Sequence, residues 1–335
     1  MTPHAAERVC REAAQKSFDE AAKSLAIDWK VCWEGKQIQR WAEAFGDRMV
    51  RERDAAVLAY QQGRLPEMGP NEPALLVVGV DGGRYQSREK DPQTDSRWRE
   101  DKVCTVTSYL PGDGKEKKPQ KLVTTHVATA RNATAFGPMA RLEAERRGLR
   151  AAEMVTLMGD CANWIDPLHD EHFACHPRIA DYDHAVEHLW EACRSILGSD
   201  SAKVPVLAKR LETWLYNGEV KKVIRRLQAE SRKLGAVQET DGEQHPRRVL
   251  AREVGYFDRN QRHMHYPQYR SKGWPIGSGN TEAGVKQFNK RIKGTEQFWG
   301  ERGIESMLCL RGSWISQDLR WQRYWATRPA YRPAA

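Results

Sequence analysis

The sequence predicts a mixed α/β fold: a sheet flanked by helices, behind a helical N-terminal region. Three observations carry that reading. The run Ala74-Leu75-Leu76-Val77-Val78-Gly79-Val80 is apolar throughout, the signature of a buried strand. Lys102 to Leu110 alternates, the turn Pro111-Gly112-Asp113-Gly114 follows, and Lys121 to Ala128 reads as a third strand, which together predict an antiparallel meander. A second apolar run, Met154 to Met158, follows a helix over about 133–147 and ends in Gly159-Asp160.

The remaining elements follow in order. Residues 3–60 read as helical, rich in Ala, Glu, Arg and Lys, with Phe18, Ala22, Leu25 and Ile27 at helical spacing. A turn at Glu34-Gly35 would lead into a helix presenting Lys36, Gln37, Gln39 and Arg40, like the second half of a helix-turn-helix that reaches phosphates and base edges. An ordinary helical hairpin is the plainer alternative. Residues 61–73, QQGRLPEMGPNEP, form the best linker. The main domain then spans 74–326, with a short fifth strand at Arg178–Asp181 and helices near 183–197, 203–234, 245–264, 280–293 and 301–326. A helical insertion is expected over about 198–270, and 327–335 form a tail.

Composition narrows the partners. Among 335 residues, 54 Lys and Arg against 45 Asp and Glu leave a charge of +9, which favours polyanions. Several of the 12 Trp lie among Arg and Lys in the last third, a mixture suited to stacking on bases or to packing under a basic surface. Seven Cys with no CxxC pair argue against a disulfide framework and for a reducing compartment. No apolar stretch approaches the length of a membrane span, and the first residues carry no signal core. A cytoplasmic protein is expected.

Three acids stand where chemistry could use them. Asp81 ends the first apolar run and precedes Gly82-Gly83-Arg84, whose glycines would admit a nucleic-acid backbone; a hairpin turn is the alternative. Asp160 ends the second run, where a plain helix N-cap is the alternative. Glu282 follows Gly277-Ser278-Gly279 at the start of a helix carrying Lys286, Lys290, Arg291 and Lys293; there the alternative is a first-turn acid favoured by the helix dipole. Phosphoryl transfer on DNA needs positive charge at the attacking and leaving oxygens, and two Mg²⁺ or Mn²⁺ ions held by hard carboxylate oxygens supply it.

In this order the segments resemble bacterial insertion-sequence transposases of the DDE superfamily, especially the Kra group. Val80-Asp81-Gly82-Gly83-Arg84 resembles the first-acid motif and Trp98-Arg99-Glu100-Asp101-Lys102 the element after it. Gly159 to Ile165 resembles the second-acid motif, and Asp181-Tyr182-Asp183-His184 opens a helix like the one that follows it. Pro275 to Gly279 with Glu282 resembles the third-acid motif, and Met307-Leu308-Cys309-Leu310-Arg311 the closing element. Asn280-Thr281 and Cys161 depart from the usual pattern, where small or apolar residues and Gly are commoner.

The resemblance implies a ribonuclease H-like core, with Asp81, Asp160 and Glu282 as catalytic metal ligands. It also implies DNA as partner and a homo-oligomer assembled on element ends. Arg84 could clamp a phosphate, and Lys286, Lys290, Arg291 and Lys293 could follow the DNA backbone. Asp181, Asp183 and His184 are candidate supports beside the acids. His169, His172, Cys175 and His176 cluster near Cys161, but their spacing matches no usual zinc finger or ribbon. Two other activities fit the same residues: a non-catalytic DNA-binding protein derived from a transposase, and a structure-selective nuclease.

Overall fold

In the computed structural model, residues 1–66, 72–294 and 297–329 are described. Part of the expected linker (67–71) and of the tail (330–335) lies outside them. Three helices, α1 (Pro3–Gln15), α2 (Phe18–Trp29) and α3 (Gly35–Gln61), precede the strands β1 (Leu75–Ser87), β2 (Trp98–Leu110) and β3 (Gln120–Thr129). Then come α4 (Ala133–Arg146), β4 (Met154–Gly159), α5 (Ile165–His172) and β5 (Arg178–Ala180). A helical stretch follows: α6 (Tyr182–Leu197), α7 (Val204–Tyr216), α8 (Val220–Leu234), α9 (Pro246–Asn260) and α10 (Tyr266–Ser271). The chain closes with α11 (Gly279–Ile292), the two-residue strand β6 (Phe298–Trp299), α12 (Glu301–Ile315) and α13 (Arg320–Ala326).

The sheet order is β3-β2-β1-β4-β5. The meander β1–β2–β3 is antiparallel, whereas β4 and β5 join parallel, as the mixed α/β reading requires. β1 differs from its expected form. It does not end at Val80 but runs on through Asp81-Gly82-Gly83-Arg84 to Ser87, so this segment is no hairpin turn. Its first half is flanked by both β2 and β4 and is apolar because both faces are buried. Past Val80 it loses β4, and only at Gln86–Ser87 does β6 pair with it. The sequence offered no warning of β6. The stretch expected as one helix over 203–234 is two, α7 and α8, parted where Gly218 takes a positive φ of 78°.

Helices cover both faces. On one, α4 and α5 pack over Leu76, Val78, Val80, Val155 and Leu157. On the other, α6 to α10 build a lobe against Leu75, Val77, Met158 and Ile179. The N-terminal helices share a single core with α11, α12 and the sheet, through residues such as Ile38, Phe45, Val103, Phe288 and Met307. No helix among the described residues is long and apolar enough to cross a membrane.

α11 crosses the middle of the sheet at close range. Gly79 permits it: a methyl group there would overlap Thr281 Oγ1 and lie 2.8 Å from Thr105 Oγ1. Thr281 Oγ1 is hydrogen-bonded to Thr105 Oγ1 at 3.0 Å, and Asn280 Nδ2 donates to Thr107 Oγ1 at 2.6 Å. The unusual pair Asn280-Thr281 is therefore the seam between α11 and β2. Gly79→Ala should destabilise the fold by about 1–3 kcal/mol through overpacking, read from urea unfolding. The double variant with Thr281→Ala should lose less than the two single losses added together.

Candidate active site

Asp81 and Asp160 start from adjacent strands. The last parallel pair is Val80 with Gly159, and each acid is the next residue in the chain, Asp81 still within β1 and Asp160 just past the end of β4. Neighbouring strands lie about 4.8 Å apart, so the two carboxylates begin as close neighbours. The alternation along β1 puts Asp81 on the face of Val77 and Gly79, the face that α11 and α6 cover. The bland alternative for Asp160 fails. Its Oδ1 does accept from the Ala162 N–H at 3.0 Å, but α5 begins only at Ile165, with Trp164 as its cap. Between them Cys161 takes a positive φ of 68°, the left-handed backbone that glycine adopts at least cost. Burial pushes its thiol up to about 11.

Glu282 lies in the first turn of α11, one residue past the Thr281 contact, and its Oε2 accepts from Lys286 Nζ at 3.1 Å. The start of α11 is tied to the start of α6 by one carboxylate. Asp181, 2% exposed, caps α6 through the Asp183 N–H at 3.1 Å. It also accepts from the Ser278 N–H at 2.9 Å and from the Ser278 hydroxyl at 2.5 Å. Tyr182 N donates to Ile276 O at 2.9 Å beside it. Asp181 thus acts as a clamp between α6 and α11.

The electrostatics gather these groups. Burial comes first in raising Asp81, to about 6, followed by the negative charge of Asp160. Glu282 adds to the rise; the Gly82 N–H, 2.6 Å from Asp81 Oδ1, and His184 oppose it. Asp183 is raised by burial and then by Asp181, Glu282 and Glu187. Asp81, Asp160, Glu282, Asp183 and His184 therefore act on one another within a single region. Each of the three acids also keeps a local donor: Gly82, Ala162 or Lys286. Among the described residues, no group of three His, Cys, Asp or Glu side chains is arranged to hold a metal ion.

One acid escaped the sequence reading. Asp101 is 2% exposed, its Oδ1 has no hydrogen-bond partner, and burial raises it to about 7. It faces Gly83 across β1 and β2, where a methyl group would lie 2.5 Å from its Oδ2. Its period-two phase with Val103 and Thr105 puts it on the face of Asp81, a signal the sequence did contain. Its neighbours Glu100 and Lys102 pair with each other on the opposite face, where Lys102 Nζ sits 4.9 Å from the Trp164 ring.

The expected DNA contacts divide. Lys36, Gln37 and Arg40 are exposed at the start of α3, as are Arg84 on β1 and Lys290 and Lys293 on α11. The Gln37 side chain accepts from the Glu34 N–H, and Gln39 donates to Glu43, so both amides serve their own helix. Lys286 is paired with Glu282. Arg291 corrects the sequence reading. It is 2% exposed, donates to Ala13 O at 2.6 Å and stacks over Phe18 and Trp299. Residues 284, 285, 288, 291 and 292 form the buried face of α11, so this cation ties α11 to α1 and meets no phosphate. His169, in the His/Cys cluster, turns its ring nitrogens to Asp170 and the His176 carbonyl.

No protein-family model matches the chain, and no curated protein matches it.

The raised Asp81 has a consequence for stability. Its contribution is fully present below the ordinary aspartate range and is lost as pH rises through about 6. Asp81→Asn removes the charge, so it should stabilise the protein near pH 7.5 by roughly 1–3 kcal/mol. Urea midpoints for the two proteins should converge near pH 4.

Proposed function

We propose that the chain is a DNA transposase of the acid-triad type with a ribonuclease H-like core, cutting and joining strands of an insertion element. One observation carries the reading: Asp81 is held near 6 by its own burial and by the charges of Asp160 and Glu282, acids supplied by three separate elements. Structural carboxylates are paired with cations. Asp81 has no cation partner and is instead raised by the charges of Asp160 and Glu282, a cost worth keeping where positive charge arrives during a reaction. The mixed sheet flanked by helices, with Asp81 on its central strand β1 and Asp160 just past the end of neighbouring β4, supports the ribonuclease H-like part of the proposal.

The donor set suits Mg²⁺ or Mn²⁺, since all three side chains offer hard oxygens and their mutual repulsion is relieved by a cation. Two such ions would supply the positive charge that the attacking and leaving oxygens of the phosphodiester need. The chain's own residues do the rest. Asp81 is held within β1, Asp160 directly follows β4, and the Asp181 clamp sets where Glu282 enters. Glu282 is paired with Lys286 and would have to leave that pair to join the two aspartates around a cation. Gly82 and Gly83 leave room beside Asp81 for the carboxylates of Glu100 and Asp101 on β2.

The Glu282–Lys286 pair also favours a second reading, in which the chain binds DNA without cutting it. One experiment separates the two. With duplex DNA bearing the element ends and Mg²⁺, the wild-type protein should cleave and join strands. Asp81→Asn, Asp160→Asn and Glu282→Gln should each lower cleavage by at least a thousandfold, with DNA affinity kept within a few-fold. Cleavage at the normal rate by any of these variants would sink the triad. Salt-sensitive binding by a wild-type protein that never cleaves would establish the binding reading. Cut ends without joined products would point to a nuclease.

A further inference from the structure

The outer face of α8 carries two parallel rows of cations with different fates. Lys222, Arg226 and Lys233 form one row, and each has an acid partner, Glu219 for the first and Glu230 for the other two. Lys221, Arg225 and Arg232 form the next row, spaced four and seven residues apart and so aligned along the helix. All three are exposed, and none has an acid partner among the described residues. Arg225 Nε reaches only the Lys221 carbonyl of its own helix, at 3.3 Å. Glu230 is the single acid within α8, and it is committed to the first row.

Val220, Val223, Ile224 and Leu227 fill the inner face of α8, which packs on α7 and α9, while α9 packs on α6. α6 begins at the Asp181 clamp beside the acids. The unpaired row therefore belongs to the lobe that grows directly out of the candidate active site.

We propose that Lys221, Arg225 and Arg232 form a docking stripe for the phosphate backbone of duplex DNA. The proposal deepens the transposase reading and rests on it. From Lys221 to Arg232 the row extends over eleven helical steps, or about 16 Å. Over that length duplex DNA presents about one charge per 1.7 Å of axis. Only Gln228 interrupts the cations, and the row offers no apolar side chain. A protein partner would require an apolar centre to the contact. A uniformly anionic rod does not, so the charge pattern selects a nucleic-acid backbone.

The test compares two triple variants that remove the same total charge. One is Lys221→Gln/Arg225→Gln/Arg232→Gln. The other is Lys115→Gln/Lys117→Gln/Lys118→Gln, in the exposed turn between β2 and β3. Binding of each full-length protein to a 30-base-pair duplex is followed from 50 to 300 mM salt, without Mg²⁺. Each phosphate contact contributes about 0.9 to the slope of log affinity against log salt. The α8 variant should lose about 2–3 from that slope, and the turn variant less than 1. Equal slopes for both variants, or an unchanged slope for the α8 variant, would overturn the stripe. If the wild-type protein still cleaves element-end DNA in that case, only the stripe has failed. A wild-type protein that binds no DNA at any salt removes the stripe together with the reading beneath it.

Discussion

The contact of Thr281 with bare backbone at Gly79 is the constraint around which this molecule is arranged. A helix usually meets a sheet through a layer of apolar side chains. Here α11 comes down onto a strand with no side chain in between, and hydroxyl and amide bonds to Thr105 and Thr107 take the place of that layer. Such a seam tolerates little displacement, because each buried polar group would be left unpaired by a small shift. Support from behind holds it. Arg291 reaches the Ala13 carbonyl, and Arg311 bonds the carbonyls of Gln287 and Ala14. The N-terminal helices are thus part of the apparatus that fixes where Glu282 stands.

The acids work against the stability that this packing provides. Asp101 is buried and Asp81 half-buried, both carboxyls are shifted upward, and neither has a side-chain cation bonded to it. Elsewhere the chain pairs its buried acids carefully. Glu143 is held by Arg320, Glu305 by Arg53, and Glu253 by His188 and Arg252. The contrast is local, and it coincides with the segments that resemble the acid motifs. Sites kept for chemistry commonly carry this kind of cost.

The sequence made the sheet and the two aspartates legible because buried parallel strands leave uninterrupted apolar runs, and an acid at the end of such a run stands out. It said less where partners decide the outcome. The length of β1 depends on β2 and β6, not on its own residues, so the strand was expected to stop at Val80. Arg291 and Lys290 look alike as residue types, and only helical phase separates the buried one from the exposed one. Asp101 was hidden in a motif whose Trp, Glu and Lys drew attention to the other face. Gln37 and Gln39 could equally serve their own helix or read a base, and here Gln37 caps α3 while Gln39 bonds Glu43 one turn on. The two cation rows of α8 differ only in where Glu219 and Glu230 fall.

The Asp181 clamp makes the position of Glu282 independent of contour length. Ninety-seven residues separate Asp181 from Ser278, yet the two ends meet through three oxygen-mediated bonds at a single turn. Closing a longer or shorter excursion between fixed ends changes the entropy only logarithmically, by about 0.6 kcal/mol for each doubling. The α7–α10 lobe could therefore be lengthened, trimmed or re-decorated while the position of Glu282 stays unaltered. The lobe is where such a protein would acquire new habits of gripping its substrate, and the clamp leaves it free to do so.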